Sequence, residues 1–382
     1  MKHYKTLLGL ALIGGALMSS CSNDDEKKEY ETVGGDVQAA CDAWKSARQY
    51  WEWSEAFLFG PASDYAIDPH IDTWPVDQTT LAGILTDESL MSDIDNKISQ
   101  QDDGVLGFHG IEYVLFRSGA ARDNSQVTRV EYEYARAVSK DLYKCASVLQ
   151  ACWAGKENIS AERQALVDAF FSAHNGEYEN YGKAFVDYGE GKLYETALDA
   201  TIQILEGARD IIGEVQSGKI GKPFTGEDAN YIESPYAYNS IQDFYDNIEG
   251  CKFAFYGKLG AMSPQENSVI KACQGWTEVS PYANEVVAAL DKSLEKIQSM
   301  KAPFAIYFTD PGVKAAMDAL KELDDKVGEL ETQLMKYKGN NSVLEALVKV
   351  NANYVSNVVI PTYAALADKS AELQGKINGI AN

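Results

Sequence analysis

His109 and Glu112 lie three residues apart in a stretch, residues 104–116 (GVLGFHGIEYVLF), that offers no other side chain able to carry charge near neutral pH. On a helix, positions three apart stand on one face, a turn from each other. Their neighbours are Val, Leu, Ile, Phe, Tyr and Gly, so the pair is expected out of water. A carboxylate isolated there needs a cation, a set of donors or a proton. A metal ion held by the imidazole and the carboxylate is one solution. A buried His–Glu pair that keeps helices in register is another, and these residues alone leave the two open. Gly104, Gly107 and Gly110 sit at steps of three. Each costs a helix about 1 kcal/mol relative to Ala, so the run points to something packed close against this backbone.

The elements that must position this pair read as helices. Runs of alternating β-branched residues are scarce, and the ten prolines fall mostly between apolar runs. A first helix is expected over 36–58, with Trp44, Arg48, Trp51, Glu55 and Leu58 on one stripe and Tyr50, Trp53 and Phe57 on another. Such a helix is buried nearly all round. Gly60-Pro61 stops it. Residues 61–75 read as a long acidic loop carrying Asp64, Asp68, His70, Asp72 and Trp74-Pro75, and loops of that length in a compact domain are usually functional. Short helices follow at 77–84 and 88–98, then the glycine-rich helix at 104–117, then long amphipathic helices at 127–154, 160–187 and 193–216. Residues 219–225, rich in Gly, Lys and Pro, are the expected linker between domains. The second half opens with Glu233-Ser234-Pro235-Tyr236. A helix then runs to Gly257, with Asp243 and Asn247 on one face, followed by helices at 281–301, 311–337 and 340–377, the last bent near Pro361. Residues 55–60 (EAFLFG) and 252–257 (KFAFYG) end the first helix of each half alike, a faint duplication that favours two related bundles.

The chain starts with a charged segment (Lys2, Lys5), an apolar run over 7–18 too short to span a bilayer, and Ser19-Ser20-Cys21. Small residues before a cysteine resemble a bacterial lipobox, which makes 1–20 a lipoprotein signal peptide and Cys21 the lipidated residue. Residues 21–35 are then a charged, flexible tether whose acidic start is similar to a surface-export signal. The expected place is outside the cytoplasm, lipid-anchored to the outer membrane on its surface or periplasmic face. Loss of the leader removes two lysines and no acid, taking the net charge from −23 to −25. That argues against nucleic acid and anionic lipid surfaces as partners and is compatible with cations. Five cysteines remain, at 41, 145, 152, 251 and 273, enough for one or two disulfides in an oxidising compartment. Cys145 and Cys152 are two helical turns apart, roughly 10 Å, too far to pair. With no Cys-x-x-Cys, a thiolate metal site is not expected.

Four pieces together resemble the imelysin-like family. Gly107-Phe108-His109-Gly110-Ile111-Glu112, continued by Tyr113-Val114-Leu115-Phe116, matches its Gly-x-His-x-x-Glu signature. Glu55 with Phe57, Phe59 and Gly60-Pro61 is similar to the end of its first helix. Trp74-Pro75 is similar to its next landmark, and Glu233-Ser234 with Pro235, Tyr236, Ser240 and Asp243 to its second-half motif. The resemblance spans residues 36–378. It implies an all-α protein of two related four-helix-bundle-type domains, here 36–218 and 226–378, with a functional cleft at their interface. It also implies a divalent metal ion, iron or zinc foremost, held by His109 and Glu112 with Glu55 as third ligand. Arg48, Gly107, Glu233, Ser234 and Asp243 line that cleft. In this chain Tyr238-Asn239 stands where the family has small polar residues.

Three functions follow. The first is a metal-binding lipoprotein linked to iron-uptake proteins; one imidazole with carboxylates suits iron, zinc, manganese or copper. The second is a metallopeptidase of the family, although the His-Glu-x-x-His helix of familiar zinc peptidases is absent and the other mature histidines, His70 and His174, have no ligand spacing. The third is a non-catalytic interaction module, for which the 22 tyrosines would supply contact surface.

Overall fold

The computed structural model describes residues 32–380 apart from Asn175. The expected leader, the expected lipidation site Cys21 and most of the expected tether lie outside these residues. Helix α1 (Val37–Ser54) starts where Asp36 accepts a hydrogen bond from the Ala39 amide at 3.0 Å. It tightens at its end into a 3-10 turn, Glu55–Phe57. The segment expected as loop folds instead into two short helices, Pro61–Asp64 and α2 (Ile67–Asp72). Pro61 stands at the first helical position, where its missing N–H costs nothing. A 3-10 turn, Asp103–Val105, precedes α3 (Gly107–Leu115). Gly104 therefore lies outside the helix, and two glycines rather than three belong to it.

Helix α4 (Arg129–Ala154) opens with a reciprocal Thr128–Glu131 capping box. Helix α5 (Ala161–His174) is shorter than the periodicity predicts. Helix α6 (Ala197–Gly213) runs on through a π-helical turn, Glu214–Lys219, into the short helix Gly221–Thr225. Residues 219–225, expected as a linker, are thus helical, and Lys219 is fully buried. The second half contributes α7 (Ser240–Tyr256), α8 (Ser280–Gln298), α9 (Pro311–Met335), α10 (Asn341–Tyr354) and α11 (Ile360–Ile380). The bend expected at Pro361 is a π-helical turn at Val355–Val359. The carbonyl of Asn357, which proline cannot serve, accepts the Leu259 amide at 2.8 Å.

The molecule is all-α. The one two-stranded ribbon among the described residues pairs Phe116–Arg117 with Ala120–Ala121, Phe116 opposite Ala121. Helices α1, α3, α4 and α11 pack together as one bundle; α6, α7, α8, α9 and α10 pack as the other. Two helices pack outside the sequence range expected for their bundle. Helix α6, within 36–218, lies chiefly on α9, and α11, within 226–378, returns to lie along α1 and α4. Each has an apolar stripe, and the partner that covers it is set by the path of the whole chain.

Helices α1 and α7 cross at the seam between the bundles. A Cβ at Gly250 would stand 2.4 Å from the carbonyl oxygen of Trp53, so a side chain there would push the two helices apart. Five cysteines, 41, 145, 152, 251 and 273, are free and buried. No disulfide joins them. No helix among the described residues is long and apolar enough to cross a membrane.

Candidate metal centre

The seam is filled by ionisable side chains. Helix α1 turns Arg48, Glu52 and Glu55 inward on one face, because spacings of four and three share a side of a helix. Asp72 ends α2. His109 and Glu112 come from α3, Lys219 from the π turn, Glu233 and Ser234 from the segment before α7, and Asp243 and Asn247 from α7. None of these side chains belongs to a residue more than 4% exposed.

Gly107 decides how α2 meets α3. Its φ is +60°, and a Cβ there would fall 1.8 Å from the Ile71 carbonyl oxygen. Only glycine allows both the left-handed backbone and that approach, which sets Asp72 beside His109. Gly110 faces the Tyr134 hydroxyl, 2.4 Å from where its Cβ would be, and so seats α3 on α4.

His109 Nδ1 lies 3.1 Å from Glu112 Oε2. The other oxygen of Glu112 accepts the backbone amides of Tyr236 and Ala237, both at 2.8 Å. Glu112 is therefore committed to orienting the imidazole and tying the second bundle to it. The opposite nitrogen, His109 Nε2, is 3.1 Å from Asp72 Oδ1, within ion-pair range but outside hydrogen-bond geometry. Ligand-capable atoms of His109, Asp72 and Glu233 all lie within 4.8 Å of one another, and so do those of Glu52, Glu55, Asp72 and Glu233. Glu55 thus belongs to the second group rather than to the His109 group, and Glu112 stands behind the imidazole. A carboxylate on one ring nitrogen with the other nitrogen turned to further donors is the usual support of a metal-bound histidine.

Two cations hold the carboxylates. Arg48 contacts Asp72 and Glu52, reaches Glu233 Oε1 at 2.7 Å and Asp243 at 3.8 Å, and stacks over the Phe108 ring. Lys219 Nζ donates to Glu55 at 2.8 Å, Glu233 at 2.9 Å and the Asn247 side-chain oxygen at 3.3 Å. Asn247 donates in turn to Glu52 and Glu55. Ser234 is buried with a left-handed backbone (φ +46°), and Asn239 donates to Asp243 at 2.6 Å.

The GxHxxE stretch, the Glu55 helix end and the Glu233 segment therefore meet in one buried cluster between two helical bundles. Residues 22–334 match the imelysin family model, Peptidase_M75. The chain belongs to the imelysin family. It is 28% identical to iron-regulated protein A of Synechococcus elongatus over 295 residues, covering 75% of this chain and 73% of that protein. Among solved structures it is similar to an iron-regulated protein A precursor from Parabacteroides distasonis, with a TM-score of 0.61, 27% identity, and 78% and 83% of the two chains covered. It is also similar to an imelysin peptidase from Bacteroides ovatus, with a TM-score of 0.50, 26% identity, and 64% and 67% covered.

In this imelysin, six carboxylates (Glu52, Glu55, Asp72, Glu112, Glu233, Asp243) share one buried cluster with Arg48, Lys219 and His109. Even with the imidazole charged, three negative charges are in excess. Burial raises Glu52 and Glu55 well above the carboxylate range, and it lifts Asp243 to about 6 against the pull of Arg48. Burial would also raise Asp72, but Arg48 and His109 override it and hold Asp72 well below its usual value. Burial would lower His109, yet the carboxylates of Asp72 and Glu112 beside its two ring nitrogens raise it to about 9. Several acceptor atoms have no hydrogen-bond partner, among them Glu52 Oε1, Glu55 Oε1, Glu233 Oε2 and Asp243 Oδ2.

A cleft of about 290 Å³ reaches the cluster past Glu55, Asp68, Asp72, Trp74, Glu214 and Tyr231. Trp74 is half-buried, its ring 6.0 Å from that of His109 and 5.2 Å from that of Tyr231. Its ring face also receives the Lys219 ammonium, 5.1 Å from the centroid. Burial raises Asp68, at the rim, to about 7.

Sequence reasoning missed Glu52 and Lys219 and saw Asp72 only as one acid in a loop. Glu52 had a signal, since it stands four residues after Arg48 as an ion-pair partner. Lys219 had none, because its glycine and proline neighbours read as a linker.

Proposed function

We propose that this imelysin is an exported, lipid-anchored protein that captures a divalent metal ion at the seam between its bundles, in the service of iron uptake. His109, Asp72 and Glu233 are the donors. The observation that carries the reading is a buried imidazole nitrogen gathered with two carboxylates inside a cluster whose negative charge exceeds its cations. A bound ion would supply the positive charge that protons on Glu52 and Glu55 supply in its absence.

The chain's own residues divide the remaining work. Glu112 fixes the imidazole so that Nε2 faces Asp72. Arg48 and Lys219 hold Asp72 and Glu233 in place. Trp74 narrows the approach and excludes bulk water. The carboxyls of Asp68 and Glu214 line the way in to the centre. One imidazole with carboxylates accepts iron, zinc, manganese or copper, and the names of two relatives, both iron-regulated protein A, favour iron. Lipidation at Cys21 would hold the centre near a membrane, where a cation would be handed on.

A peptidase reading rests on the cleft, whose volume of about 290 Å³ would take a peptide side chain beside the centre. Metal analysis of the purified mature protein and of a His109→Ala/Asp72→Ala variant tests the main proposal. About one equivalent in the wild type and none in the variant is expected. Equal trace metal in both would leave only a structural ion network. Chelator-sensitive cleavage of a peptide library, lost in the same variant, would move the function to hydrolysis.

A further inference from the structure

Helix α2 carries a second chemistry-bearing residue, two positions before Asp72 and on the other side of the helix. His70 faces α4 rather than the seam. Its Nε2 is 2.6 Å from Asp141 Oδ2, and its Nδ1 is 3.2 Å from Asp103 Oδ1. Asp141 and Cys145 stand four apart on α4, so they share a face on adjacent turns. Ligand-capable atoms of His70, Asp141 and Cys145 all lie within 4.8 Å of one another. Two helices that are distant in sequence thus bring an imidazole, a carboxylate and a thiol to one point.

We infer that His70, Asp141 and Cys145 form a second metal site, separate from the seam, which takes a thiophilic divalent ion such as zinc. Three protein ligands of nitrogen, oxygen and sulfur, with a fourth position open to water, are a familiar zinc set. Tetrahedral bonds to such ligands place the donor atoms about 3.3–3.8 Å apart, so the 2.6 Å Nε2–Oδ2 contact opens on binding and the thiol, within 4.8 Å of both, settles at bonding distance. The support for such a site is already built. Asp103 accepts from the Nδ1–H, which leaves Nε2 as the ligand nitrogen. Lys144 Nζ, 2.6 Å from Asp141 Oδ1, holds the oxygen that is not needed and leaves Oδ2 on the imidazole side. Asp141 and Cys145 are buried, while the His70 side chain is 18% exposed, so an ion enters past the imidazole. Binding forms an S–M bond and releases the Cys145 thiol proton to solvent.

The seam contains no sulfur among its donors, so cobalt(II) separates the two sites in one experiment. Titration of the full mature protein with cobalt(II) under a phosphine reductant should develop a thiolate-to-cobalt charge-transfer band in the near ultraviolet, whose plateau corresponds to one thiolate-bound cobalt per chain. The band should vanish in Cys145→Ala and persist in the His109→Ala/Asp72→Ala variant. Asp103→Asn should weaken the affinity about 10–100-fold, as loss of the group orienting a ligand histidine does. Absence of the band from the wild-type protein overturns the inference without recourse to any variant. Persistence of the band in Cys145→Ala also overturns it, by assigning the thiolate to another cysteine.

Discussion

Helix α2 is flanked by two acid–imidazole clusters that differ in what surrounds them. At the seam, Arg48 and Lys219 are fully buried and each faces several carboxylates. On the other side, the side chains of His70 and Lys144 are 18% and 20% exposed and that of Asp103 is 46% exposed. Water and salt screen the outer cluster, whereas the inner one interacts at low dielectric. The same chemistry therefore has different consequences. Removing one charge from the seam strands others that have no solvent to turn to, whereas removing His70 from the outer cluster leaves Asp103 to water and the buried Asp141 still paired with Lys144.

The largest effect expected from this contrast is at Arg48. Arg48→Ala leaves Glu52, Asp72 and Glu233 without their shared cation, and urea denaturation should show a loss of about 3–5 kcal/mol. A loss no greater than that of the matching change at His70 would remove the contrast. Asp246 sharpens it from the opposite direction. It is buried at the α1–α7 crossing but is met by the amides of Gln242 at 3.1 Å and Gln49 at 3.4 Å instead of a cation. Burial raises its carboxyl to about 7. An acid with a raised folded value binds more protons folded than unfolded, so stability should fall as pH rises from the ordinary aspartate range through 7. Asp246→Asn should remove the part of that fall due to Asp246 and be more stable than the wild type at pH 8 by roughly 2–4 kcal/mol. Parallel stability curves for the two proteins from pH 4 to 8 would contradict it.

Gly107→Ala tests whether the two clusters depend on one helix. The left-handed backbone and the clash with the Ile71 carbonyl should cost about 2–3 kcal/mol in thermal unfolding. Because α2 carries both Asp72 and His70, cobalt affinity should fall at both sites. An unchanged affinity at either would show that α2 does not set that site's geometry. The smallest effect is expected at His70. Metal-free His70→Asn should lose about 1 kcal/mol or less, and the loss should shrink further in high salt.

Part of this was legible along the chain. The tryptophan stripe of α1 announced its burial, and Trp44 and Trp51 donate to the Phe108 carbonyl at 2.9 Å and to Asp72 at 2.7 Å. His109 and Glu112 were legible as a facing pair because helical period alone joins residues three apart. Asp243 and Asn247 were paired for the same reason. The residues that complete the centre were not legible. Asp72 sits 37 positions before His109, and Lys219 lies between Glu55 and Glu233 in a segment whose glycines and proline suggested a break. The outer cluster was hidden likewise, since only Asp141 and Cys145 share a helix.

The sequence by itself determined an all-α chain, the faces that its helices bury, and the short-range pairs that a 3.6-residue period aligns. Those are local properties, set by neighbours within a few residues. Only the tertiary structure decided that α11 would close the first bundle and that a π turn would drive Lys219 into the seam. It also decided that His109 would meet Asp72 and Glu233 on one side while Glu112 held it from the other. Burying excess charge demands compensation from wherever the chain can bring it, and that is settled by the packing of distant helices rather than by spacing.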